Sequence, residues 1–531
     1  MSGRCAKFVL QAAALAMCLS ATACGGGDSD GAPPTGGPAP SPTPTPSPTS
    51  SPTPPPAAVG PAPRNPFLAA SNWSIFHANT YATASATTGP GAVETAQVID
   101  ALTRPLAPVY VSPWTVFGPR YADGSQPVLT TPNNGVAKYL IAGGQLRGVD
   151  FLPLERNVTD FDWALLARAN GEAVVTERLG NRIVLVGDAR PGDPLSPLVV
   201  RRRIAVDPAV HGRLLAHHSL AFDGKLIVLT DANRLIAVDL DAGRVVAAFD
   251  LPGDSGASFQ NSFPIDETGR IFVAAQSLAV AVDWTGSAFR LAWRAPYDMR
   301  GPGCENIPPN RPAEEERIAV ALGLPCTGTG TTPTLIGSPQ SGIFVIVDGH
   351  QPRNNLVAFW RGEPPADWAA LPDPARPGQF LDRRVAGVLA LPYSTPDGEG
   401  FTAQNSPAAF GNAVIIAQWA GFNPDATPPT GVQRVDWLPQ QRRLSLVWAN
   451  PSILFNGVPS IGCVAGVCMT YGAGRYGNRY AYTSLDFATG AETGRVDLGS
   501  DDRVLDQGNG HAIADDGSII YAGKRTLIRV R

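Results

Sequence analysis

Three stretches far apart in the chain are built to one plan, and that repetition restricts the fold more than any other feature. Residues 219–249 give an apolar strand, a tight turn at Asp223-Gly224, a second strand through Leu226 to Leu229, a third over 234–240, a turn at Asp241-Ala242-Gly243 and a fourth over 244–249. Residues 262–283 and 512–530 repeat it, with turns at Gly269 and at Asp516-Gly517, and 484–490 repeats the third strand and its turn. The alternation has a period of two, so these are strands, and turn residues delimit each one. A unit of this size cannot bury both faces of its own sheet, so units must stack against one another. The one helical pattern is 312–322, with Pro312 at its start, Glu314-Glu315-Glu316 in the first turn and Gly323 as the stop.

The third strand and its turn, with the signature apolar-x-apolar-Asp-x-x-Thr-Gly that ends in Ser484 to Gly490, resemble the blades of quinoprotein-like (PQQ-type repeat) β-propellers over roughly residues 100–531. The resemblance implies an all-β, eight-bladed β-propeller of four-stranded blades. First strands are expected near Gln126, Phe161, His218, Asn261, Thr331, Asn405, Ser460 and His511; seven blades is the alternative if the Phe161 unit is an insertion. The last unit runs out of chain after three strands, and an N-terminal strand over 108–112 is expected to complete it, closing the ring and removing its edges. The segment 73–79, with Trp73, Phe76 and His77, resembles the aromatic opening segment of such propellers and is expected to pack against the outside or base of the ring.

Location is written in the first residues. Arg4 and Lys7 precede a short apolar stretch from Phe8 to Leu19, a secretory signal over 1–23. Ala21-Thr22-Ala23-Cys24 resembles the bacterial lipobox, which implies lipidation of Cys24; cleavage after Ala23 with a free thiol is the alternative. Gly25 after Cys24 favours the outer membrane under the usual sorting rule, on its periplasmic or surface face. Residues 24–64 then form a Gly/Ser/Thr/Pro tether that cannot bury a core. The folded domain is expected over 65–531, with insertions near 301–326 and 364–402. Four cysteines remain, and an even count in an oxidising compartment predicts the disulfides Cys304–Cys326 and Cys463–Cys468, zinc being the rival for the second pair. A net charge of −4 gives no surplus for phosphate neutralisation, which argues against nucleic acid. No apolar run reaches eighteen residues, so the chain does not cross a bilayer repeatedly.

A function must then come from a site. Residues just before each first strand are expected at one channel mouth: His217 and His218, Gln260 and Asn261, Thr331, Gln404 and Asn405, and His511. Such a column can bind a small polar ligand or a metal, or can simply satisfy backbone groups and channel waters. The quinone cofactor implied by the resemblance finds no adjacent cysteines and no tryptophan platform with a calcium-binding Glu/Asn/Asp set, and no C-x-x-C-H occurs for haem. No cofactor is therefore assigned, with a quinone or a metal kept open. Gly472-Ala473-Gly474-Arg475-Tyr476-Gly477 matches G-x-G-x-x-G but lacks a following helix, so it reads as a hairpin loop. Trp360, Trp368, Trp419, Trp437 and Trp448 read as core or inter-blade packing. The sequence thus points to a lipid-anchored extracytoplasmic binding or scaffold module for a protein or small-molecule partner. The alternative is a quinone- or metal-dependent oxidoreductase or lyase acting at the channel mouth.

Overall fold

A computed structural model of the chain describes residues 61–531 apart from 103–113, 133–134, 156–164, 254–258, 260, 300–328, 330, 350–352, 393–404, 420–430, 507 and 509. Eight separate sheets follow one another along it, each an antiparallel meander whose first strand is innermost, so the chain is an eight-bladed β-propeller. Blades 1 to 8 occupy residues 115–153, 166–205, 214–250, 265–296, 334–390, 408–450, 460–499 and 512–530. The helix expected over 312–322, the Phe161 start, the 301–326 insertion, Cys24 and the Cys304–Cys326 pair lie outside the described residues.

The repeated turns explain themselves chemically. In the third-to-fourth-strand turn of blade 7, the Asp486 carboxylate accepts from the Thr489 N–H at 2.8 Å and from its hydroxyl at 2.7 Å. Gly490 then takes φ +73°, a conformation glycine adopts without strain. Asp239 accepts from the Ala242 N–H in the corresponding turn of blade 3, where Gly243 also sits at φ +73°. The core is the packing between neighbouring blades. Between blades 4 and 5, Trp293 stacks on Phe344 with centroids 6.0 Å apart, and between blades 5 and 6 Trp360 meets Trp437 edge-on at 5.5 Å.

Two expectations are corrected. The closing strand of blade 8 is Ala96–Asp100, which pairs antiparallel with Thr526–Val530; residues 108–112 fall outside the described residues. The first strand of blade 1 is Thr115–Phe117, and Gln126 opens the second, because an innermost strand this short carries no readable alternation. The eight blades follow the expected four-stranded plan, with two local variations. Blade 4 has three strands plus a bridge from Ile265 to Ile271, and blade 7 gains a fifth, the parallel strand β1 (Ser85–Ala86), on its inner edge.

The meander gives the ring two unlike sides. Connections between first and second and between third and fourth strands lie on one side, called here the turn side, while blade-to-blade and second-to-third connections lie on the other, the crossover side. The glycine-rich motif at 472–477 is mostly strand (Val467–Tyr476) rather than loop. A Cβ on Gly472 would sit 2.3 Å from the Phe455 ring, so the glycine there makes room for an aromatic side chain.

Candidate functional site

The segment 65–86 runs into the channel from the turn side instead of packing on the outside of the ring. Its main chain and side chains reach the innermost strand region of every blade. The Asn65 amide donates to Leu220 O of blade 3 at 2.7 Å. Ala69 N donates to Ala167 O of blade 2 at 2.8 Å, and Phe117 N of blade 1 donates to Trp73 O at 2.8 Å. Asn72 N donates to the Asp515 carboxylate of blade 8 at 2.8 Å. Ile265, Leu335, Ala409 and Ile461 of blades 4 to 7 donate their N–H groups to Thr80 O, Tyr81 O, Thr83 O and Ala84 O at 2.8–3.0 Å. An innermost strand presents unpaired N–H and C=O groups to the axis, and a buried backbone group left unpaired is costly, so this plug completes eight sheet edges at once.

The local sequence permits that approach. From Asn65 to Val93 there is no Asp, Glu, Lys or Arg, and Ala, Ser and Thr predominate, so the backbone can lie close to its partners. Larger side chains fill the axis: Trp73 is 2% exposed and His77 1%. Tight turns are needed, and His77, Ala78, Ala82 and Ala84 all take positive φ, between 47° and 76°. The His77 ring lies 3.6 Å from that of Phe76 and 6.1 Å from Trp114, and neither nitrogen has a hydrogen-bond partner among the described residues. Burial holds its pKa down at about 3, so the imidazole is neutral.

A buried ion pair locks the plug to blades 4 and 5. Arg361 and Asp266 have fully buried side chains 2.9 Å apart. The guanidinium also donates to Gly337 O at 2.5 Å and to the Tyr81 hydroxyl at 3.2 Å, and it lies over the Tyr81 ring. The Tyr81 hydroxyl in turn donates to Glu267; burial raises its pKa, against the lowering effect of Arg361.

Open space lies above the plug on the turn side. One cavity of about 430 Å³ is lined by residues including Arg64, Asn72, Asn79, Thr87, Phe410 and Asp515. A second, of about 240 Å³, adjoins it along Pro61, Pro63, Ser85 and Phe410 and reaches Glu267. The lining mixes small apolar side chains with neutral amides and hydroxyls, so the space suits an uncharged ligand or an extended chain rather than a polyanion.

The residues of the expected column lie at the opposite, crossover-side end of the first strands, and the structure brings them together only in neighbouring pairs. His217 Nδ1 sits 3.2 Å from Ser262 Oγ of the next blade. The Asn261 amide donates to Thr329 O at 2.7 Å, and the Thr329 and Thr331 hydroxyls are 2.7 Å apart. His511 Nε2 meets the buried Asp506 carboxylate at 2.7 Å, and its ring lies 5.3 Å from both Tyr482 and Tyr521, between blades 7 and 8. His218 is buried in register with Val228, and Asn405 is 3% exposed. Gln260 and Gln404 lie outside the described residues. Side chains of an innermost strand alternate towards the two flanking blades, which is why the column does not converge on the axis. Cys463 and Cys468 are directly paired across a hairpin and form a disulfide, with Cα atoms 4.0 Å apart.

Sequence reasoning missed the plug. The available signal was the uncharged run from Asn65 to Val93, which is too apolar for a tether and too irregular for a strand. The resemblance implied a quinone, and the residues do not fit one on the axis, which Trp73, Phe76 and His77 fill as buried side chains.

No family model matches the chain. A protein of Archaeoglobus fulgidus described as uncharacterized is 24% identical over 329 residues, covering 58% of this chain and 59% of the relative, so the match spans about three fifths of that protein. Among solved structures, a streptogramin B lyase aligns with a TM-score of 0.39 and 11% identity over 82% of this chain and 97% of its own. BamB from Moraxella catarrhalis aligns at 0.37 and 8% identity over 69% and 95%. The Cps50 (Swd1) β-propeller domain of Myceliophteria thermophila aligns at 0.34 and 10% identity over 69% and 97%. The eight-bladed assignment rests on the chain's own sheets.

Proposed function

We propose that the protein is a lipid-anchored extracytoplasmic β-propeller serving as a binding or scaffold module, held to the outer membrane through Cys24 and the 24–64 tether. The observation that carries the reading is the self-filled channel. With the axis occupied by the chain's own 65–86 segment, the ring is a rigid body whose remaining recognition surfaces are its two faces and the cavity above the plug. The Cys463–Cys468 disulfide fits an oxidising compartment, as export requires. The partner is a protein or a small neutral molecule.

The test is made on the full chain in a bacterial host fed an alkyne analogue of palmitate. The reading expects label on the wild-type chain, flotation with the membrane fraction, and loss of both in Cys24→Ser. Photo-crosslinkers placed at Leu179 and Val210, exposed in inter-strand connections, should then give one discrete adduct in cells, unaffected by His217→Ala or His511→Ala. A soluble, unlabelled wild-type chain would overturn the anchor, and adducts abolished by the histidine changes would overturn the scaffold. A second reading, an enzyme on the crossover side, is favoured by the buried His511–Asp506 pair alone. It expects native mass spectrometry with elemental analysis to find a stoichiometric ligand or metal that His511→Ala loses.

A further inference from the structure

The tether leaves the ring on a definite side. Residues 61–64 lie among the first-to-second-strand turns, against Glu267 of blade 4, Gly337 to Pro339 of blade 5, Phe410 of blade 6 and Asp515 of blade 8, where they border the two cavities. Phe67 crosses the turn of blade 3, lying 2.7 Å from where a Cβ on Gly224 would be. Whatever precedes residue 61 therefore starts from the turn side.

The same side carries most of the exposed large apolar side chains on the two faces. Phe67 (42% exposed) lies there, as do Leu195 and Phe380 in the third-to-fourth-strand connections of blades 2 and 5. Val464 (48%) and Val467 (60%) form the tip of the first hairpin of blade 7, directly beyond the Cys463–Cys468 bridge. Among the described residues the crossover side has only Leu179 and Val210. The turn-side residues do not form a patch; they are spread around the ring on blades 2, 5 and 7 and at the plug. Charges near them are internally matched: Arg168 with Glu172 and Asp241, Arg190 with Asp193, Arg384 with Glu363, Arg442 with Asp367.

A compact protein epitope needs contiguous apolar surface, whereas a plane can meet separated points at one level. We propose that the turn side is the face laid against the lipid surface, with the disulfide-stapled tip Val464-Ala465-Gly466-Val467 as its principal contact, leaving the crossover side outward for the partner. This rests on the anchor reading above. A few part-exposed side chains give weak contact alone, and the tether makes that contact effective by keeping the face at high local concentration next to the bilayer. The bridge holds the tip as a fixed β-turn, so little ordering entropy opposes contact.

The experiment uses the full lipidated chain in phosphatidylethanolamine/phosphatidylglycerol vesicles carrying doxyl-labelled lipid. An environment-sensitive fluorescent amino acid replaces Val467, Phe380 or Leu179, one per sample. At least twofold quenching is expected at 467 and 380 and none at 179, with Val464→Asp lowering the signal at 380 as well. Quenching equal at all three sites, strongest at 179, or absent at all three would overturn the proposal. Absence of quenching with a concentration-dependent shift at 467 assigns the tip to a second copy instead. Flotation and acyl labelling report the anchor separately. Should they fail, the same chain held by an N-terminal His-tag on nickel-chelating lipid still reads the contact.

Discussion

At the scale of single residues, an imidazole held neutral in the middle of the ring gives the fold a proton-linked weakness. His77 titrates at about 3 when folded and near its ordinary value when the chain is unfolded, so the unfolded state binds the extra proton in between. The stability it contributes is complete above about pH 6.5 and is lost as pH falls towards 3, up to about 5 kcal/mol. His77→Asn, chosen because Asn tolerates the positive φ, should flatten the fall in melting temperature between pH 6.5 and 4; superimposable profiles would show that the ring is solvated. Arg361 makes a second residue-scale prediction. Arg361→Met leaves the Asp266 carboxylate buried without its counter-charge and should cost about 3–5 kcal/mol in urea unfolding, while Arg361→Met/Asp266→Asn should recover most of that loss. If the double variant is no more stable than the single, the pair is held by its hydrogen bonds to Gly337 and Tyr81 rather than by charge.

Among the elements, the hairpin closed by Cys463 and Cys468 is short, so its bridge removes little loop entropy: Cys463→Ser/Cys468→Ser should lower stability by about 2 kcal/mol, seen as a small shift of the urea midpoint at unchanged slope. A change in slope would mean that the bridge also holds blade 7 against strand β1. This pair was legible because both cysteines sit in local strand pairing, and the Asp-x-x-Thr-Gly turns were legible because Asp486 and Thr489 bond each other across three residues. The plug was not legible, since its partners are scattered from Phe117 to Asp515 and no periodicity records a segment paired with eight edges. Ala96–Asp100 was misplaced for the same reason: its partner strand lies at the other end of the chain. The histidine column was readable as a position in each blade, but the direction of its side chains depends on inter-blade packing that a single sequence does not display.

For the molecule as a whole, closure and plugging are separate tasks done by adjacent segments, Ala96–Asp100 and 65–86. A protease site placed within 89–92 should therefore be cleavable with little loss of thermal stability, because each fragment keeps its own hydrogen bonds. Deleting 65–88 should instead leave eight inner edges unpaired and abolish the single cooperative melt; a deletion variant that melts as sharply as the parent would show that water serves these edges as well as the plug does. The same arrangement fixes an order of events. Segments made early have partners made much later: Asn65 waits for Leu220, Asn72 for Asp515, and Ala96–Asp100 for Thr526–Val530. Until Thr526–Val530 emerge the molecule is an open arc with adhesive strand edges at both ends, and a chain stopped before them cannot close.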